Sequence, residues 1–256
     1  MKARVITVLA VLGLMQSSDS PLARRLVERH APEVAAAEQA LLAAEASFGT
    51  EHAETARILK ALGNLDLDRG RGREAAAYYE RALAIEEKLL GKDHIGLSEV
   101  LARLAYVYAF QSPGNKVRAE ALYRRAVAIA EKVHGPDHVE VGRRLFALAR
   151  FNEHHRNYAQ AREHYARRLA IVEKVFGPEH RSTAATLSAL GTVSLRLENH
   201  LEAEMFLKRA LAVLEKDDDL SYHAFTLEQL ADVYAAIGRT RESEQLRARA
   251  ATLRRS

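Results

Sequence analysis

Four stretches of this sequence carry residue types that could do chemistry. In "EKVHGPDH", residues 131 to 138, His134 and His138 flank a Gly-Pro turn with an acid between them, the ingredients of a metal or proton-transfer site. Glu153, His154 and His155 place two imidazoles beside a carboxylate, as general acid-base catalysis requires. Asp217 to Asp219 in "DDDLSY" could offer oxygens to calcium, and Gly70-Arg71-Gly72 could offer backbone N–H groups to a phosphate.

Spacing weighs against each of them. The first stretch returns as "EASFGTEH" at 45, "EKLLGKDH" at 87 and "EKVFGPEH" at 173, so that Gly49, Gly91, Gly135 and Gly177 fall 42, 44 and 42 residues apart. A metal needs its ligands around one point, whereas such a period spreads the histidines along a structure. Gly135 and Pro136 also break the single helix face on which His134 and His138 would have to meet. Their role is therefore in a turn, with His52, His94, His138 and His180 preceding the next helix at equivalent positions. His154 and His155, being adjacent, point to different faces of a helix and sit where that helix should break. The aspartates lack the spaced ligands and closing Glu of a calcium loop and read as a repeat turn with helix-starting acids. No strand precedes Gly70. The expectation is a protein that is not an enzyme, with no catalytic residues, no metal and no cofactor.

The elements that position these residues are helices. Ala, Leu, Glu and Arg dominate the 256 residues, with only 5 prolines and 13 glycines, and no long β-branched or aromatic run suggests a strand. The absence of cysteine excludes disulfides, thiolate metal sites and cysteine nucleophiles together. A net charge of +4 with acids and bases interleaved does not call for nucleic acid.

Residues 1–20 differ from the rest. "MKAR" is basic, Val5 to Met15 is an apolar run and "QSSDSP" turns polar, the order of a secretory signal too short for a membrane anchor. They predict an exported or periplasmic protein; the alternative is a hydrophobic first helix packed on the array of a cytoplasmic one.

Between successive turns lie two helical stretches separated by polar breaks such as "DRGRGRE" and "HHRNYAQ", so each period is a helical hairpin. In the second hairpin the helices are expected over about His94 to Phe110 and Val117 to Val133, with Ser112-Pro113-Gly114 lengthening the loop between them. The second helices repeat as "AAAYYERALAIEEKLLG", "AEALYRRAVAIAEKVHG", "AREHYARRLAIVEKVFG" and "AEMFLKRALAVLEK". Small residues such as Ala75 and Ala82 mark where two helices approach closely, and Tyr79 fills the space beside them.

The pattern resembles the tetratricopeptide repeat, specifically the 42-residue variety of the kinesin light chain and its bacterial relatives. The motif L-x-x-L-G/A-x-x-Y appears as Leu59, Leu62, Gly63; Leu101, Leu104, Ala105, Tyr108; Leu145, Leu148, Ala149; Leu187, Leu190, Gly191; and Leu227, Leu230, Ala231, Tyr234. Ala75, Ala119, Ala161 and Ala203 match the small residue opening the second helix, and Tyr79, Tyr123 and Tyr165 the aromatic one turn later. The resemblance implies an all-α, right-handed alpha-solenoid of antiparallel helix pairs, with capping helices over residues 21–51 and five hairpins over residues 52–254. Asp66, Asn152 and Ser194 depart from the motif's Tyr, and Arg168 stands where Ala82, Ala126 and Ala210 stand in other copies. Ser243 and Arg247 depart in the last copy, whose polar final helix suits a repeat with no neighbour beyond it.

In such solenoids the first helices line a concave groove, and the resemblance assigns groove positions residue by residue. The first hairpin offers Arg57, Lys60, Asn64 and Asp68, and the second Glu99, Tyr106 and Phe110. The third offers Arg143, Phe146, Arg150, Glu153 and His154. Ser188, Thr192 and Arg196 follow in the fourth, and Phe225, Glu228 and Asp232 in the fifth. Aromatic anchors beside arginines suit a peptide or protein carrying acidic or carboxylate groups; the alternative is that Tyr106, Phe110 and Phe146 pack on neighbouring helices and the arginines are solvated. The asparagine pair by which the kinesin light chain grips peptide backbone is absent, its places held by Lys60-Ala61, Ala102-Arg103, Phe146-Ala147, Ser188-Ala189 and Glu228-Gln229. The function expected is a protein-interaction scaffold or adaptor, with a self-associating structural module as the alternative and a basic nucleic-acid surface as a weaker one.

Overall fold

The computed structural model describes residues 21–111, 114–216 and 220–255, and among them the chain forms eleven helices and no strand. They are α1 (Pro21–Phe48), α2 (Ala53–Asp68), α3 (Gly72–Leu90), α4 (Leu97–Phe110), α5 (Lys116–His134), α6 (Val139–His154), α7 (Tyr158–Phe176), α8 (Arg181–Arg196), α9 (His200–Leu214), α10 (Leu220–Ala236) and α11 (Thr240–Leu253). The apolar run of residues 1–20, the Ser112-Pro113 loop extension and Asp217 to Asp219 lie outside the described residues. Two compact units divide the chain between Ala119 and Glu120.

In the first unit α2 pairs with α3, and α1 packs on α2. Val34, Ala37, Leu41 and Ala44 of α1 meet Ile58, Leu62, Leu65 and Tyr78. Within the 21–51 stretch expected to hold the capping helices, residues 21–48 form one helix. Helix-forming Ala, Leu, Arg and Glu on both sides of Pro32 carry the helix through it at the loss of one backbone hydrogen bond. Helix α4 starts at Leu97, three residues after the expected His94, because Gly96 holds the N-cap and His94 stays in the turn. In the second unit the hairpins are α6–α7, α8–α9 and α10–α11. Their small residues do what the sequence asks: Ala149, Ala161, Ala203, Ala210 and Ala231 are fully buried at the helix crossings.

The recurring histidine is a helix cap. Nδ1 of His52, His138 and His180 accepts a hydrogen bond from the backbone N–H two residues on, at 3.2, 3.2 and 3.0 Å. Each ring stacks on the aromatic four residues earlier: Phe48 on His52, His134 on His138 and Phe176 on His180, with centroids 4.9, 4.3 and 4.5 Å apart. His134 and His138 are therefore a stacked pair closing one helix and opening the next. We expect His138→Ala to cost about 1 kcal/mol and His138→Asn, which restores an acceptor, markedly less; equal losses in urea melts would mean that the cap bond contributes nothing.

The turn inside each hairpin explains the three departures from the motif's Tyr. Gly70, Arg156, Glu198 and Gly238 adopt φ of 74°, 61°, 60° and 79°. The next residue's N–H then returns to the carbonyl of Asp66, Asn152, Ser194 or Tyr234 at 2.8, 2.8, 2.9 and 2.8 Å. The turn uses only the backbone of that position, so its side chain is free to vary provided its polar atoms find partners. Asn152 donates to the Leu148 carbonyl at 3.0 Å and Ser194 to Glu202 at 2.8 Å. Asp66 lies near Arg71 and Arg69, at 3.6 and 3.8 Å, and its burial pushes the carboxyl upward against their attraction.

Candidate interaction surface

The expected groove residues of the first unit are largely engaged within it. Arg57 Nε donates to Glu54 at 2.9 Å, Lys60 meets Glu86 at 2.5 Å and Asn64 accepts from the Tyr79 hydroxyl at 2.7 Å. Tyr106 and Phe110 lie half-buried with their rings 4.9 Å apart, so part of each serves packing.

In the second unit α6, α8 and α10 are the helices that carry the expected groove positions. Contacts join α8 directly to α10: Ser188 shares a hydrogen bond with Thr226 at 3.1 Å, Thr192 donates to Gln229 at 3.2 Å and the Tyr222 hydroxyl to the Ala185 carbonyl at 3.2 Å. Ser188 is fully buried, so its expected exposure on a groove is corrected: its small hydroxyl allows α8 and α10 to meet and closes it off from solvent. Glu228 and Asp232 are taken by the C-terminal segment, by Arg254 just after α11 at 2.6 Å and by Arg247 within it at 2.7 Å. Substituting Arg at position 247 for the family's aromatic residue thus supplies a partner for Asp232.

Arg143 pairs with Glu140 at 2.9 Å, while Arg150 and Arg196 are exposed and meet no carboxylate among the described residues. By contrast Arg167, Arg209 and Arg249, on the second helices, each pair with an acid of another hairpin. His154 ends α6 with its ring edge-on to His155, and Glu153 accepts from the Tyr165 hydroxyl at 2.7 Å. The His-Glu cluster is thus a helix end, with its carboxylate committed to Tyr165, whose hydroxyl burial holds strongly in the protonated form.

Phe146 is half-buried and belongs to both readings of it. Its ring packs on Tyr165 with centroids 5.6 Å apart and lies under the Arg168 guanidinium, 4.3 Å from the ring centroid. Arg168 reaches from α7 across to α8, donating through Nη1 to Thr186 Oγ1 and, at 3.4 Å, to the Ser182 carbonyl. Nε is sealed from solvent without an acceptor, and no carboxylate pairs with the guanidinium among the described residues. Burial draws its pKa down to about 10, against the weak support of the Tyr165 and Tyr222 phenols. Neither Arg168 nor Tyr222 was among the expected groove residues. The signal for the first was visible, as a long cation in a slot that three sister hairpins fill with alanine.

A tetratricopeptide repeat model matches residues 34–86, 114–167 and 147–216, more than half of the chain. Among solved structures the fold is similar to BtubC (BKLC) from P. vanneervenii, at 21% identity over 92% of each chain with a TM-score of 0.71. It is also similar to a putative kinesin light chain from Podosopora anserina with nearly identical TPR-like repeats, at 24% identity, 80% of this chain, 97% of that one and a TM-score of 0.68. Aspartyl phosphate phosphatase F from Bacillus subtilis matches at 14% identity, 97% of this chain and 67% of that one, with a TM-score of 0.68. Among the curated proteins none matches. Identities this low speak to fold alone, and the all-α solenoid of helix pairs is that fold.

Proposed function

Since the chain belongs to the tetratricopeptide repeat family, we propose that it is a non-catalytic scaffold that binds an acidic peptide or protein segment on the α6, α8 and α10 face of its second unit. The supporting observation is the unequal commitment of its arginines. On the second helices Arg167, Arg209 and Arg249 pair with carboxylates, whereas Arg150 and Arg196, on the first helices that also carry the half-buried Phe146, stand exposed without one. A cationic face with an apolar anchor attracts and then holds an acidic partner. No helix among the described residues is long and apolar enough to cross a membrane. No catalytic role is carried over from the phosphatase of similar fold, because the cluster that looked catalytic is committed to a helix end.

The test is capture of partners from the native host by the wild type and by an Arg150→Glu, Arg196→Glu variant. These exposed positions leave the core intact, so helicity should be unchanged while affinity for the captured partner falls at least tenfold. An identical partner list at identical affinity would remove this face from consideration.

A further inference from the structure

We infer that Arg168 is the receiving group for a carboxylate of the bound peptide, taken at Nη2, the guanidinium nitrogen that the fold leaves without a hydrogen bond. This rests on the reading of the α6, α8 and α10 face as the peptide surface. Arg168 is anomalous by sequence and by environment. Ala82, Ala126 and Ala210 occupy its slot in other hairpins and are all buried, so the fold does not need a cation there. The other inward-facing charges have opposite charges near them: Glu86 meets Lys60, Asp66 lies near two arginines and Arg144 bonds Glu140. Arg168 has Thr186, the Ser182 carbonyl and an aromatic face.

An unpaired half-buried cation loses hydration that its uncharged neighbours do not fully return. The contacts it does have hold the fork still: Phe146 supports one face of the guanidinium and α8 occupies Nη1. What remains is Nη2, with no hydrogen bond among the described residues; Nε is sealed behind it and is out of a ligand's reach. A carboxylate oxygen accepts from Nη2 in a charge-assisted hydrogen bond, which a desolvated setting strengthens. One cation calls for a monoanion, which favours a carboxylate over phosphate. The carboxylate could come from an Asp or Glu side chain or from a chain terminus, and the experiment separates the two.

The full chain, labelled with 15N-arginine, is titrated with acetyl-glutamic acid amide, acetyl-alanine, inorganic phosphate and sodium chloride. The Arg168 Nε–H signal is identified by its loss in Arg168→Met. A saturable shift with acetyl-glutamic acid amide alone assigns a side-chain carboxylate, and one with acetyl-alanine a terminal carboxylate. No saturable shift with either, or an equal shift with chloride or phosphate, overturns the proposal. Arg168→Met should melt at the same temperature as the wild type or higher, while binding the captured partner at least tenfold more weakly. A large drop in melting temperature would instead make Arg168 structural and overturn it. If the partner is lost in the Arg150→Glu, Arg196→Glu variant but kept in Arg168→Met, the surface stands and this assignment fails.

Discussion

Phe151→Ala is expected to lower the free energy of unfolding by about 3–5 kcal/mol, the largest single loss from the second unit. Phe151 has no exposed surface, and its ring lies between Tyr123, with centroids 5.6 Å apart, and His155, at 4.6 Å. It therefore joins α5 to the C-terminal end of α6, where neighbouring hairpins share a core. Truncation removes the transfer energy of the ring and leaves a cavity that two aromatic neighbours cannot collapse to fill. Val175, 47% exposed on α7, is the control: its alanine variant should change stability by less than about 0.5 kcal/mol. Urea unfolding of the two variants would show comparable midpoints if the ring contributed no more than surface area.

Phe151 also marks where the sequence stops being legible. The repeat motif names Leu145, Leu148 and Ala149 in that helix, and all three are buried as it requires. The apolar position itself recurs, as Leu65, Val107, Val193 and Val233 six residues after each first Leu, but the pattern does not say that this copy alone needs a ring there. The hairpins, the small-residue crossings and the His caps could be read because they recur. Ser188 could not be placed, because its register gives it a groove position while the close approach of α8 and α10 buries it against Thr226. Glu228 and Asp232 could not be recognised as engaged, because their partners Arg254 and Arg247 lie 26 and 15 residues on, at the polar end of the chain that suited a repeat with no neighbour. Arg168 was visible as an anomaly, but its environment depends on three other helices. Identity is local in the chain; the pairing of charges is not.

The same gap sets the outcome at Gly191, where sequence and structure give opposite advice. The motif accepts Gly or Ala there, and Ala149 and Ala231 hold the equivalent place in other hairpins of this unit. An added Cβ on Gly191, however, would sit 2.4 Å from Leu207 Cγ and 2.8 Å from its Cδ2, and Leu207 is fully buried. Ala149 faces Tyr165 instead, a flat ring that can lie beside a methyl group, whereas a branched leucine presents its bulk to the crossing. Leu207→Ala alone should cost about 2–5 kcal/mol through the cavity it opens. Gly191→Ala alone should destabilise, because the overpacking, at about 1–3 kcal/mol, outweighs a gain of up to about 1 kcal/mol in helix propensity. With Leu207 already truncated the new methyl group enters the vacated space, so the same substitution changes sign and recovers about 1 kcal/mol. Urea melts of the two single variants and the double variant measure this coupling; additive effects would mean that α8 and α9 shift apart freely and that the small residue at this crossing sets no distance between them.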